Sequence, residues 1–414
     1  MKIAVIGSGI SGMVAAYLLC EDHDVVVFEA NDYIGGHTHT VDVEEDGRAY
    51  PVDTGFIVFN ETTYPNFLKL MRRLGVSWQP SRMSFSVTCE KTGLEYSPSS
   101  LNSLFAQRRN LLRPSFYRMI LEIFHFRLQS KALLKTDNYD MSLGPYLKSK
   151  RYSKGFIQHF IIPMGAAIWS AEPGQFHRFP ARYFVEFFRN HGFLNVRGQP
   201  QWLTITGGSR RYVEHLTRPY ADRIRLRCPV QSITRYDSHV DVKTGNGEAE
   251  RFDRVILAAH SDQALAMLSD PSKAEAEILS AIPYQENLAI LHKDTSLLPR
   301  RRVCWASWNY RIPREAVERL ALTYDMNILQ SLPMREEICV TLNLPHHVDP
   351  DKMIQTMTYH HPVYTPEGLR ARQRHGEING VNRTFFCGAY WGYGFHEDGV
   401  NSALEVCKHF GKTL

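Results

Sequence analysis

An α/β protein is expected from this chain, with a parallel, nucleotide-binding sheet interleaved with an α+β part made of an antiparallel sheet and helices. Three observations predict it. Residues Lys2 to Gly36 run as apolar strand, glycine-punctuated turn, helix, second apolar strand, acid and glycine pair. Two later runs, Arg254-Val255-Ile256-Leu257-Ala258-Ala259 and Thr384-Phe385-Phe386-Cys387-Gly388-Ala389, are nearly continuous apolar stretches, the pattern of strands buried on both faces. The length, 414 residues, exceeds a single ordinary core, so two domains are expected. Residues 1–60, 200–282 and 380–414 read as the nucleotide-binding domain, and 61–199 and 283–379 as the substrate-binding domain.

The opening unit carries the chemistry. Ile3-Ala4-Val5-Ile6 is a strand, Gly7-Ser8-Gly9-Ile10-Ser11-Gly12 fits G-x-G-x-x-G, Met13 to Cys20 continues as a helix, and Val25 to Phe28 is a strand ending at Glu29. A pyrophosphate in this arrangement rests on backbone N–H groups, Ser11 among them, and on the positive end of the helix dipole. A Cβ at Gly7 or Gly9 would block the tight turn or the phosphates, and Gly12 lets the helix lie close to the strand. Glu29, 17 residues beyond Gly12, can accept hydrogen bonds from a ribose diol and disfavours a 2′-phosphate. Gly35-Gly36 adds backbone free to approach phosphate, followed by the donors His37, Thr38, His39 and Thr40.

Further along, Val52 to Phe59 reads as apolar strand or loop, Tyr64 to Leu74 as a helix, and Ser86 to Tyr96 as a hairpin turning at Lys91-Thr92-Gly93. Ser99 to about Ala171 is helical, with breaks near Pro114, Gly144 and Pro163. Ser209 is placed to cap a helix from Arg210 to Leu216. Short strands at Ile224–Arg227, Val230–Tyr236, His239–Lys243 and Glu250–Phe252 follow, with a turn at Gly245-Asn246-Gly247. Glu286–His292, Val303–Tyr310, Ala321–Ile328 and Ile338–Leu344 suggest a separate antiparallel sheet, and a helix from about Asp398 to Phe410 closes the chain.

Composition excludes several classes. A hydrophobic content of 43% fits a filled interior rather than disorder, and a net charge of +5 is too modest to argue for nucleic acid. Seven scattered cysteines, none in C-x-x-C, read as core residues of a reducing compartment. No run has the length of a membrane span, and Gly7, Gly9 and Gly12 interrupt the first apolar run too soon for a signal peptide, so the cytoplasm is expected. His37 and His39 lack a third ligand at suitable spacing, and no metal site is expected.

The final segment separates flavin from nicotinamide nucleotides. Gly388 ends a strand at the nucleotide crevice, and Glu397-Asp398-Gly399-Val400-Asn401-Ser402-Ala403 brings a helix N-terminus to where a flavin ring would accept backbone N–H bonds. With Gly7-x-Gly9-x-x-Gly12, Glu29, Gly35-Gly36, Thr206-Gly207-Gly208, Cys228-Pro229-Val230 and the Gly388 strand, the whole chain resembles the flavin-containing amine oxidase superfamily. That resemblance implies a two-dinucleotide-fold, FAD-binding Rossmann domain, non-covalent FAD, and contact of the Val230 backbone with adenine. Within the superfamily the chain looks closest to bacterial predicted NAD/FAD-binding proteins that accompany cyclopropane fatty acid synthase-like methyltransferases. The resemblance therefore implies an unsaturated or methylated acyl chain or lipid as substrate, and a lipid methyltransferase as a candidate partner. The superfamily's arginine after the glycine pair is His37 here, the cage tyrosine position holds His396, and Lys293 is the candidate for the lysine near flavin N5.

His396 is the candidate base, with Glu397 beside it and Tyr390, Trp391 and Tyr393 walling the cavity; Asp398 is a helix cap in the plainer reading. Asp53 is placed to bond the cofactor loop. Residues 99–154 carry eleven cations against Glu122, Asp137 and Asp140, interleaved with apolar residues, a pattern suited to peripheral contact with anionic lipid at the inner membrane face. Three functions are carried forward: hydride transfer from an acyl C–H bond to flavin (desaturase, isomerase or oxidase), amine oxidation, and a non-catalytic flavin- or lipid-binding role.

Overall fold

The computed structural model describes residues 1–135, 139–195, 198–245, 247, 249–315 and 319–414; Asp137 and Asn246 lie outside the described residues. The central sheet is parallel throughout, in the order Ile224–Arg225, Asp24–Phe28, Lys2–Ile6, Arg254–Leu257, Thr384–Phe386. Its strands are the continuous Val/Ile/Phe runs, because both faces are covered and alternation has no polar side to serve. Helix Ile10–Leu19 lies on one face with nine of its ten residues buried. It has no solvent side because the closing helix, His396–Lys408, covers it. A meander of Val230–Arg235, Val240–Thr244 and Ala249–Phe252 leads back into the central sheet.

The second large sheet has seven strands in the order Met353–Pro362, Tyr284–His292, Cys339–Leu342, Leu322–Asp325, Trp308–Ile312, Phe85–Cys89, Leu94–Tyr96. It is mixed rather than antiparallel. The hairpin at residues 85–96 joins it, and Trp308–Ile312 pairs in parallel with Phe85–Cys89. One expected strand starts later than predicted and another ends earlier. Arg302–Cys304 is a 3₁₀ turn before Trp308, and Asp325 leaves its strand to cap Met326–Leu329, accepting the Ile328 N–H at 3.0 Å. A ribbon of Thr40–Glu45 and Arg48–Asp53 went unread in the sequence, although its turn is Asp46-Gly47 with both residues at positive φ, a strong hairpin signal.

Breaks in the helical stretch divide by mechanism. Pro114 opens helix Pro114–Gln129, where a missing N–H costs nothing. Pro163 does not break its helix. A π segment, Ile157–Ile161, precedes it, and the carbonyl of His159, which a residue-163 N–H would have served, instead accepts Tyr96 OH at 2.8 Å. Gly144 sits inside Leu143–Ser149, where a Cβ would stand 2.8 Å from His177 Nδ1. Ser209 does not cap Arg210–Thr217: its own backbone is helical and its hydroxyl donates to Asp53 Oδ1 at 2.7 Å. No helix among the described residues is long and apolar enough to cross a membrane.

Candidate cofactor and substrate site

One cavity of about 1420 Å³ runs from the glycine loop to the aromatic wall of the second sheet, more than a drug-sized ligand needs. At its first end the loop is shaped by what its glycines touch. Gly7 has φ +103°, and a Cβ there would stand 2.8 Å from Ala258 O. A Cβ on Gly12 would meet Gly7 O, so this glycine lets the helix lie on the loop. Gly9 differs: a Cβ would meet nothing within 4 Å, because the residue faces open cavity. Helix Ile10–Leu19 starts at Gly9 with no side-chain cap and no acid in its first turn, leaving its N–H groups and dipole to an anion.

Glu29 anchors the turn. One carboxylate oxygen accepts Ser8 N–H at 2.9 Å and Ser8 Oγ at 2.6 Å; the other accepts Asn31 N–H and Nδ2 at 2.9 and 3.0 Å. Gly35 and Gly36, both at positive φ, bring the second glycine loop against the first, with Gly36 close to Gly9. Val230 and Gly388 also line the cavity, beside Ala258 and Ala259 at the end of the Arg254 strand.

The far end is aromatic. Tyr393 stacks on Tyr183 with centroids 4.5 Å apart, and Tyr183 on Tyr364 at 5.4 Å. Arg372 lies over both Tyr183 and Tyr364, and with Tyr183 it donates to Gly392 O, fixing the loop before the closing helix. His396 stacks on Phe56 at 3.5 Å, its Nε2 shared between Thr38 Oγ1 at 2.9 Å and Tyr212 OH at 3.0 Å. Burial, then His37, holds the His396 pKa well below the usual histidine value. Burial and His260 push His37 down to about 4.

Most expected site residues meet here: Gly7, Gly9, Ser11, Glu29, Gly35, Gly36, His37, Val230, Gly388, Tyr393 and His396 line the cavity. Others stand behind it. Gly12 packs under the loop, Thr38 braces His396, and Gly399 lies against Ser11. Val400 is fully buried in the core beside the dinucleotide helix, and the closing helix reaches the cavity through Phe395 and His396 instead. Glu397 is corrected as a catalytic candidate: its carboxylate accepts the Asn66 and Phe67 N–H groups at 3.1 and 2.8 Å, capping helix Pro65–Leu74. Asp398 accepts Phe395 N–H at 2.9 Å and caps its own helix.

Two further expectations are corrected, and one holds in part. Asp53 does bond the end of the loop after Gly35-Gly36, accepting Thr40 Oγ1 at 2.6 Å, but it stands behind the cavity with Ser209 and Gln330 as its other donors, and burial pushes it up to about 6. Lys293 pairs with Glu336 at 2.5 Å, away from the cavity. Trp391 turns from the cavity to stack on His375 at 3.9 Å. The sequence reading missed Arg127 as a cavity residue, having counted it only as surface charge. It also missed the histidines His260 and His361 beside His37, which come from the cap of helix Ser261–Met267 and from strand Met353–Pro362, with no motif to mark them.

These walls fit a flavin nucleotide. Beyond the bare glycine cradle, His37 Nε2, Trp169 Nε1, Tyr364 OH and Tyr390 OH are buried, lack hydrogen-bond partners and belong to cavity-lining residues, so the site retains unspent polar capacity. The family signature "Flavin containing amine oxidoreductase" matches residues 10–291, about two thirds of the chain. The chain belongs to that family. Amine oxidase [flavin-containing] A of Canis lupus familiaris is 26% identical over 274 residues, covering 62% of this chain and 49% of the relative. Mycobacterium tuberculosis AofH is 26% identical over 286 residues, 66% of this chain and 59% of the relative. The chain thus matches only about half the length of these curated relatives. The fold is shared with cyclohexylamine oxidase from Brevibacterium oxydans (TM-score 0.70, 17% identity, 99% of each chain). It is shared too with a CLA-producing fatty acid isomerase from P. acnes (TM-score 0.66, 18% identity, 99% and 98%). This flavin amine oxidoreductase family uses FAD. Here Gly7 to Ser11, Glu29, Gly35 to His37 and Val230 would hold its nucleotide half, with Gly388, Phe395 and His396 toward the ring.

Proposed function

We propose that this chain is an FAD-dependent oxidoreductase whose substrate is an apolar acyl chain bearing an anionic head. The charge of the cavity carries the reading. Among the described residues lining it, Glu29 is the sole acid and sits at the nucleotide end, there is no lysine, and the cations are Arg82 and Arg127. An ammonium substrate finds no counter-ion past the nucleotide, whereas a carboxylate or phosphate finds guanidinium. The fatty acid isomerase and the cyclohexylamine oxidase share the fold, so the fold by itself serves either substrate class.

FAD, when bound, supplies a hydride acceptor, and dioxygen or the substrate itself takes the electrons back, giving desaturation or double-bond isomerisation. The protein's part is alignment and exclusion of water. Phe160, Met164, Ile168, Phe187 and Phe188 wall the acyl region. Tyr183, Tyr364 and Tyr393 form a rigid stack beside it. His396 stays neutral and braced by Thr38 and Tyr212, a wall and a weak base near neutral pH.

Anaerobic mixing of the flavin-loaded protein with unsaturated fatty acid, unsaturated phospholipid and primary amines tests the reading, with lipid products followed by mass spectrometry. Bleaching or a shifted double bond with an acyl substrate supports it. Bleaching by amines alone establishes the amine oxidase reading in its place, and no response to any substrate favours a binding role.

A further inference from the structure

Helix Pro114–Gln129 turns an apolar stripe to solvent. Tyr117, Leu121, Phe124 and Leu128 succeed one another at four, three and four residues, hence on one face, and are 42, 67, 44 and 69% exposed. The opposite face is committed to the core through Phe116, Met119 and Phe126. Just upstream, Leu101, Leu111 and Leu112 are also exposed. Among the described residues, seven of the fourteen exposed large apolar side chains fall in this one stretch, a cluster rather than ordinary scatter.

The stripe is set in positive charge. Residues 101–135 hold seven cations (Arg108, Arg109, Arg113, Arg118, Arg127, Lys131, Lys135) and one acid. That acid, Glu122, is occupied by Ser153 and Arg118. A second copy docking face to face would oppose like charges, whereas an anionic lipid leaflet neutralises them and accepts the apolar stripe. The same helix also reaches the cavity through Ile123 and Arg127. At 100° per residue, Arg127 falls about 80° round from the stripe, between it and the buried face. Its Nε is buried with no hydrogen-bond partner.

We propose that helix Pro114–Gln129 and the turn before it seat on an anionic membrane surface, with Arg127 standing between the lipid and the cavity. The seat is independent of the acyl-substrate reading, because vesicle binding is measured without turnover.

The test is sedimentation of the full-length, flavin-loaded protein with vesicles of phosphatidylcholine alone and of phosphatidylcholine mixed with phosphatidylglycerol. Binding is expected only with phosphatidylglycerol present, weakening as salt is raised. Leu121→Ser combined with Leu128→Ser lowers it about tenfold or more, as does Arg108→Glu with Lys131→Glu. Ile354→Ser, an exposed apolar residue elsewhere, binds as the parent does. Unaltered melting and flavin absorbance show that each variant is folded. Equal recovery with both vesicles, parent-like binding by the double serine variant, or a parent dimer that this variant abolishes would each overturn the proposal.

Discussion

Ser11 Oγ donates to Gly399 O at 2.9 Å, joining the helix that receives the nucleotide to the helix that closes the chain. The two meet because residue 399 has no side chain: a Cβ there would stand 2.6 Å from Ile10 Cγ2 and 3.0 Å from Ser11 Oγ. The helix behind the glycine loop and the helix that carries His396 are thereby in direct contact, although 388 residues separate the partners.

Gly399→Val should therefore act at a distance. Overpacking of this kind costs about 1–3 kcal/mol, and it displaces the first turn of the dinucleotide helix. Lower unfolding free energy together with weaker FAD retention is expected from denaturant melts and flavin release. Loss of stability with FAD affinity intact would show that the two helices are not coupled.

Glu29 holds the loop through Ser8 before it meets any ribose. Glu29→Ala leaves the buried Ser8 N–H without its acceptor, a loss of about 1–3 kcal/mol. Titration of the apoprotein with FAD should show affinity falling about tenfold or more. An unchanged titration would remove Glu29 from the nucleotide site.

Much of the central fold was legible because it depends on local pattern. The Val25 to Phe28 run, the glycine spacing and the Arg254 strand each announce their own environment. What was missed depends on partners remote in sequence. The parallel entry of Phe85–Cys89 beside Trp308, the rescue of the His159 carbonyl by Tyr96, and the use of Glu397 as a cap for Asn66 and Phe67 each join segments tens to hundreds of residues apart. Neither periodicity nor propensity encodes such pairings. At the site, the glycine loop was readable from its motif. Arg127 was not, because a cation on an amphipathic helix reads alike whether it faces water or a cavity.

His361 offers a pH test. Burial, His37 and His360 depress it to about 3 in the folded protein, so it is neutral there while the unfolded chain takes up a proton below pH 6.5. Its contribution is present in full above that value and is lost as pH falls. From pH 7.5 to pH 5 the loss is at most about 2 kcal/mol. Unfolding free energies of the parent and His361→Gln, measured at both pH values, should converge or cross in favour of the variant at pH 5. A difference independent of pH would contradict the buried, neutral histidine.

Arg127→Met tests head-group recognition. A hydrogen bond to a charged group contributes about 1.5–3 kcal/mol, so KM for an unsaturated fatty acid should rise about tenfold or more while that for its methyl ester stays put. Equal effects on acid and ester would mean that Arg127 shapes the cavity without binding the head.

Non-covalent FAD in this cavity is the expectation on which the proposed chemistry rests. Its most direct measurement is the absorbance of the purified protein, followed by denaturation and separation of supernatant from pellet. A flavin spectrum is expected in the native protein, in about one-to-one ratio, and it passes wholly to the supernatant. A protein that remains colourless after incubation with FAD would contradict it, and flavin retained in the pellet would contradict non-covalent attachment.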